Sequence, residues 1–196
     1  DMKVPVLMFS GGEPYLREDI FELAKYATDL GLRVVISTNG TLITKEVAKN
    51  TKKAGVKYVG ISIDGLEETH DKFRNFKGAY RRALEGLRNC LEEDIKAGLR
   101  MTLTSENNKD LKGIFDLVEK EKIPRFCIYH LVYTGRGRGL INKDLTKEEK
   151  RENIKFLIEK TIEFREKGVE TEILTTDNHA DGVVIYKTIL KNQPER

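Results

Sequence analysis

Six times along this 196-residue chain, an apolar run of strand length gives way to a segment with helical spacing. The first run, residues 4–9, ends at Ser10-Gly11-Gly12-Glu13-Pro14, after which Leu16, Ile20, Leu23, Ala24, Ala27 and Leu30 recur at helical intervals. Further strands are expected at residues 34–37, 58–63, 99–104, 126–132 and a weaker one at 170–174. Between them lie helices carrying Val47, Ala48 and Ala54, then Ala83 to Ile95 up to a stop at Gly98, then Leu111 to Val118 before Pro124. Thr146-Lys147-Glu148-Glu149 has the spacing of a capping box and opens another helix, and residues 183–190 read as a short last one. Residues 67–78 read as a polar, aromatic-studded loop. Alternation of this kind requires an α/β fold, a mostly parallel sheet with its helices outside.

Parallel α/β sheets and barrels bind ligands at the carboxyl ends of their strands. Here those ends are chemically rich: Gly-Gly-Glu, Ser37-Thr38-Asn39-Gly40, Ser62-Ile63-Asp64-Gly65, Thr104-Ser105-Glu106-Asn107, and Gly135-Arg136-Gly137-Arg138-Gly139. The opposite connections are bland glycine turns. Taken singly, several of these signals have plain readings. Asn39-Gly40 and Asp64-Gly65 are ordinary turn dipeptides, Thr102 and Thr104 are good strand formers, and Arg136 and Arg138 suit a solvated loop. Their shared position at one face favours a binding site.

Composition narrows the setting. The formal charge is only +3 with both signs interspersed, which gives no argument for nucleic acid. No apolar stretch reaches membrane-spanning length. The two cysteines, Cys90 and Cys127, form neither a disulfide framework nor a metal-ligand spacing, so a reducing cytoplasm is the expected location.

In their order, these motifs resemble the radical S-adenosylmethionine (radical SAM) enzymes over nearly the whole chain. The resemblance implies a partial (β/α) barrel of about six strand–helix units, with residues 1–196 a fragment of its core domain. It implies that Gly11, Gly12, Glu13 and Pro14 meet the amino group of S-adenosylmethionine, with Glu13 the acceptor for the ammonium. Ser37 and Asn39 would line the same pocket, Ser62 and Asp64 would hold the ribose hydroxyls, and Thr102, Thr104 and Asn107 would approach adenosine and methionine. Arg136 would pair with the methionine carboxylate.

The segment from Tyr129 to Gly137 is similar to the tetrapyrrole branch of that family, and Thr176-Asp177-Asn178-His179-Ala180-Asp181-Gly182 looks most like its 12,18-didecarboxysiroheme deacetylases. That resemblance implies a parent enzyme that removes acetate side chains with a 5′-deoxyadenosyl radical, or close alternatives, porphyrin decarboxylation or peptide modification. Arg138 would clamp a substrate carboxylate, Tyr129 or Tyr133 would stack on the ring, and Asp177 and His179 would contact substrate. Asp177 or Asn178 reads equally as a helix cap, His179 as a polar loop residue, and His130 as a satisfied core histidine.

The family's [4Fe–4S] cluster needs Cys-x-x-x-Cys-x-x-Cys, and two cysteines cannot supply it. Cys90 falls in a helix and Cys127 in a strand, both as core residues. No metal ligand is therefore expected in this chain. The reading is of a fragment whose parent holds the cluster and draws electrons from a ferredoxin or flavodoxin, with self-association at an exposed sheet edge. The alternative is a non-catalytic binding domain that lost the cluster by descent.

Overall fold

A computed structural model of the chain describes residues 4–192, apart from the side chains of Arg136 and Asn192. Six strands form one sheet in the order of the sequence: β1 (Val6–Phe9), β2 (Arg33–Thr38), β3 (Tyr58–Ser62), β4 (Ala97–Thr102), β5 (Arg125–Tyr129) and β6 (Glu172–Thr176). Every neighbouring pair is parallel. Crossovers of one hand that always step to the next strand put all helices on one face. The sheet thus curls toward a barrel, as expected, with β1 and β6 as its edges.

Because side chains alternate along a strand, each strand has a helix-facing set and a concave set. The helix-facing set includes Val34, Ile36, Val59, Ile61, Leu99, Met101, Phe126 and Ile128, all at most 1% exposed. They pack under α1 (Ile20–Asp29), α2 (Lys45–Lys53), α4 (Ala79–Glu92), α5 (Leu111–Lys120) and α6 (Lys147–Glu166). α2 and α6 start as their sequences require. Thr44 Oγ1 accepts from the Val47 N–H at 3.2 Å, and Thr146 and Glu149 form the reciprocal capping box. The concave set is far less covered, with Met8 53% and Leu174 44% exposed.

The structure departs from the sequence reading in four places. Residues 67–78 are not all loop: α3 (Glu67–Arg74) forms there and ends at Asn75 in the left-handed region, φ 49°. Its one buried residue is His70, so it has no apolar period to detect. α4 ends before Gly98, because Asp94 (φ 54°) already reverses the chain, and Gly98 lies inside β4. The glycine–arginine segment is a 3-10 helix over Gly135–Lys143. The last three strands are displaced, β4 and β5 beginning earlier and ending sooner than expected and β6 running two residues later. α7 (Ala180–Asn192) closes the described chain and packs on α6.

The core centres on Phe115 of α5. Its ring meets Phe126 of β5 at 5.3 Å, and Phe156 and Phe164 of α6 at 5.5 and 5.7 Å, all edge-on. One ring therefore joins two helices to the sheet. Phe115→Ala should lower unfolding stability by about 3–5 kcal/mol, read as a lower urea midpoint with an unchanged slope.

Candidate functional site

A cavity of about 760 Å³ opens at the carboxyl ends of the strands. Its β1 side is Ser10, Gly11 and Gly12, its β2 side Ser37, Thr38 and Asn39, and its β3 side Ser62. α3 contributes His70, Phe73 and Arg74, and the 3-10 segment lays Leu140 and Lys143 over one side. That segment is pinned to the β4–α5 connection, where the Ser105 N–H donates to the Lys143 carbonyl at 2.8 Å and Lys143 reaches Glu106 at 3.0 Å. Gly11 has φ +124°, a conformation closed to other residues, and a Cβ on Gly11 or Gly12 would meet nothing within 4 Å. The glycine pair is thus not packed against protein on its Cβ side, and its backbone makes no hydrogen bond to another described residue's backbone.

Glu13 sits behind that wall. Its carboxylate accepts from the Thr38 hydroxyl at 2.6 Å, the Asn39 N–H at 2.8 Å and the Tyr15 N–H at 3.3 Å. These bonds fasten the end of β1 to the end of β2. Three donors leave one of its four lone-pair directions open for a further partner. Pro14 is buried, at the first position of the 3-10 turn that Glu13 caps. Asn39 Oδ1 accepts from both the Thr41 N–H and hydroxyl at 2.8 Å, the side-chain turn its sequence suggested.

Asp64 does the same on the next pair of strands. It is 2% exposed, and its carboxylate accepts from the Thr102 N–H at 3.0 Å and from the Arg74 guanidinium. Its own N–H donates to His70 Nδ1 at 2.9 Å. Asp64 therefore does not line the cavity; Ser62 and Arg74 do. Thr104 and Asn107 are also buried, and half-buried Thr102 joins them through its backbone. Asn107 Oδ1 accepts from the Thr104 N–H and its amide donates to the Thr102 carbonyl, both at 2.8 Å, closing the end of β4.

Arg100 is the residue that motif reading passed over. It lies mid-strand on β4, beside Ser62 in register, and its side chain crosses the concave face to Ser37. Its guanidinium stacks 4.7 Å from the Tyr129 ring centroid. Gly60 makes room, since a Cβ there would meet Arg100 Cδ at 2.7 Å. Among the described residues Arg100 forms no pair with a carboxylate. The only sequence signal was an arginine at an inward position of a strand.

The expected substrate residues are dispersed. Tyr129 is half-buried under Arg100, while Tyr133 is exposed and bound to Asp144. Arg138 and His179 are exposed, and the side chain of Arg136 lies outside the described residues. Asp177 is exposed with φ 69°, and Asn178, whose Oδ1 accepts from the Ala180 N–H at 3.1 Å, caps α7. His130 is only half satisfied in the core: Nε2 pairs with buried Asp181 at 2.8 Å, while Nδ1 is buried without a partner among the described residues.

Residues 1–118 match the family model described as the radical SAM superfamily. The chain belongs to that superfamily. Among curated proteins it is 55% identical to Fe-coproporphyrin III synthase of Methanosarcina barkeri and 42% identical to pre-heme d1 synthase of Dinoroseobacter shibae. Each match covers 98% of this chain and 48% of the relative. An AdoMet-dependent heme synthase of Methanosarcina barkeri is 42% identical over 68% of this chain and 38% of its own length. The chain thus spans about half or less of the curated relatives it matches, and it falls in the haem-biosynthesis branch. Solved structures share the fold. Streptococcus suis SuiB superposes with a TM-score of 0.74 over 96% of this chain and 42% of its own, at 18% identity. AdoMet-bound anSMEcpe superposes with 0.68 over 85% of this chain and 48% of its own, at 20% identity.

Radical SAM enzymes use S-adenosylmethionine and a [4Fe–4S] cluster. The cavity fits the first: it is large enough, polar at its mouth, and leaves the Gly11–Gly12 backbone open. The described residues do not fit the second. No group of three or more His, Cys, Asp or Glu among them can hold a metal. Cys90 and Cys127 are buried on α4 and β5, and burial pushes the Cys90 thiol up to about 12.

His70 gives this wall a pH dependence. Burial pushes its pKa from 6.5 down to about 4, against opposing attraction from Asp64. The folded protein thus holds a neutral imidazole, which contributes stability fully above pH 6.5 and loses it as the pH falls toward 4. Stability should drop by about 2 kcal/mol between pH 7 and 5 through this residue. His70→Asn keeps an acceptor for the Asp64 N–H but cannot titrate. Its unfolding midpoints should vary less with pH over that window than those of the unmodified protein.

Proposed function

We propose that this chain is the S-adenosylmethionine-binding core of a radical SAM enzyme acting on an iron tetrapyrrole. The observation that carries the substrate class is the 42–55% identity, over 98% of the chain, to two synthases named for tetrapyrrole products. In this reading residues 1–196 are one piece of a longer enzyme, and the cluster cysteines lie in the remainder.

Residue roles follow the geometry of the cavity. The Gly11–Gly12 backbone and the open lone pair of Glu13 receive the methionine ammonium, while Thr38 and Asn39 hold Glu13 in place. The amide of Asn39 and the hydroxyls of Ser37 and Ser62 line the path to ribose and adenine. Arg100 takes the methionine carboxylate, the role that sequence reasoning gave Arg136, because it is cationic, pairs with no carboxylate among the described residues and reaches Ser37 on the cavity wall. S-adenosylmethionine supplies hydrogen-atom abstraction in this superfamily, and the protein's part is to orient donor and substrate. Arg138, exposed on the 3-10 segment whose Leu140 and Lys143 line the cavity, takes a peripheral carboxylate of the ring in this reading, and Tyr129 supplies an aromatic face beside Arg100.

Acetate removal from 12,18-didecarboxysiroheme is the reaction we favour, with decarboxylation of iron coproporphyrin second. Both handle an iron tetrapyrrole with peripheral carboxylates. An electron donor such as a ferredoxin or flavodoxin, and pairing of the β1 edge with further chain, belong to the same proposal.

Arg100→Gln should weaken S-adenosylmethionine binding about 10- to 100-fold, the worth of a charged hydrogen bond. Decarboxylated S-adenosylmethionine should bind the variant and the unmodified protein alike. Calorimetric titration reads both, and equal affinity of the two proteins for the intact cofactor would remove Arg100 from this role. Turnover of didecarboxysiroheme, iron coproporphyrin and a peptide by the full-length enzyme then ranks the substrates.

A further inference from the structure

In the roles assigned above, S-adenosylmethionine meets the β1, β2 and β3 ends and Arg100, and the α3 side of the main cavity is left without a ligand. That side carries Lys72, Phe73 and Phe76 from α3 and the turn after it, and Lys109 from the β4–α5 connection. A close approach sets their spacing. A Cβ on Gly65 would meet Thr69 Cγ2 at 2.8 Å and Asp110 Oδ2 at 2.9 Å, so the connection packs against the first turn of α3. The Leu66 N–H donates to Asp110 Oδ2 at 2.9 Å and fixes that approach. Lys109 precedes Asp110, and Lys72 lies one helical turn beyond Thr69, so the two lysines are carried on adjoining, fixed segments.

Phe76 is held out rather than packed in. Asn75 turns the chain at φ 49°, and the Phe76 N–H donates to the Asp71 carbonyl at 3.0 Å. The Asp71 carboxylate accepts from the Gly78 and Tyr80 N–H groups, which closes the turn. The result presents an aromatic side chain that is 45% exposed. One face of its ring is backed by the Arg82 guanidinium, 5.2 Å from the centroid. A rigid aromatic left open at a cavity forgoes the burial that an apolar ligand face would give it.

The charge left free here is mostly of one sign. Among the described residues, Lys72, Arg82 and Lys109 pair with no carboxylate. Arg74 is committed to Asp64. Of the carboxylates lining the cavity, Glu106 is paired with Lys143 at 3.0 Å, and Glu68 stands outside these pairs. Separated cations around an open aromatic ring suit a flat anion with carboxylates at its edge.

Resting on the tetrapyrrole reading, we propose that the α3 side of the cavity is a carboxylate-binding rim for the substrate. Lys72 and Lys109 take two peripheral carboxylates, in addition to the one assigned to Arg138, and the open face of Phe76 takes an edge of the macrocycle. These groups hold the ring by parts remote from the reacting side chain and so set its orientation toward the cofactor.

The test titrates iron coproporphyrin III and its tetramethyl ester into the full chain, following the Soret band. The unmodified protein should bind the free acid about tenfold or more tightly than the ester. Lys72→Gln and Lys109→Gln should each weaken the free acid by about threefold or more and leave the ester unchanged. Phe76→Ala should weaken acid and ester alike, by about threefold or more. All three positions are exposed, so the thermal midpoints should match that of the unmodified protein, which separates lost binding from lost folding. Lys155→Gln, at an exposed position of α6 outside the cavity, should change neither titration. S-adenosylmethionine affinity should be the same throughout. Free-acid binding that the three cavity variants leave unaltered, an equal loss in Lys155→Gln, ester binding as tight as the acid, or a matching loss of S-adenosylmethionine affinity overturns the rim and leaves the tetrapyrrole reading standing. An unmodified protein that binds neither porphyrin overturns both.

Discussion

The carboxylate of Asp64 holds together the part of the molecule on which the cavity depends. It is buried at the end of β3, and it ties that end to the β4 backbone through Thr102 and to α3 through Arg74, while its own N–H secures His70. Removing one partner of a buried charged pair leaves the other uncompensated, at a cost of about 3–5 kcal/mol. Glu13 does the equivalent work between β1 and β2, in a more exposed place. Parallel strands end in unpaired backbone groups, and these two acids close them in adjacent pairs. The wall facing the ligand is therefore rigid at the points where loops would otherwise be loose.

The same two residues show what could be read without a structure. Their chemistry and their position at strand ends were legible, as were the six strands and the helices with an apolar period. Their orientation was not, because a carboxylate before a glycine looks the same whether it faces solvent, ligand or the next strand. α3 escaped notice because a helix with a single buried residue, His70, carries no periodic signal. Arg100 escaped because its partners, Ser37 and Tyr129, are 63 and 29 residues away in opposite directions. Gly98 was read as a stop for a helix already ended at Asp94; its reason is the Tyr58 hydroxyl packed over it.

Membership of the radical SAM superfamily and the geometry answer different questions. The family match establishes the cofactors of the class, while the structure shows which of these residues have polar atoms to spare. Asn107 and Asp64 have spent theirs on the fold, whereas the Gly11–Gly12 backbone bonds no other described backbone group and Arg100 pairs with no carboxylate among the described residues. Candidates that share one face of a sheet thus separate into those that build the site and those left free to bind.

The paired glycines at positions 60 and 98 have a consequence for how such a chain can diversify. Side chains alternate, so every residue shaping the hollow interior is insulated from the helix-packed face by the sheet backbone itself. Interior contour and stability are then written in separate letters of the same strands. Relatives could change the guest they accept by swapping the inward residues that lie over these glycines, Arg100 and Tyr58, leaving Ile61, Leu99 and the helices above them untouched.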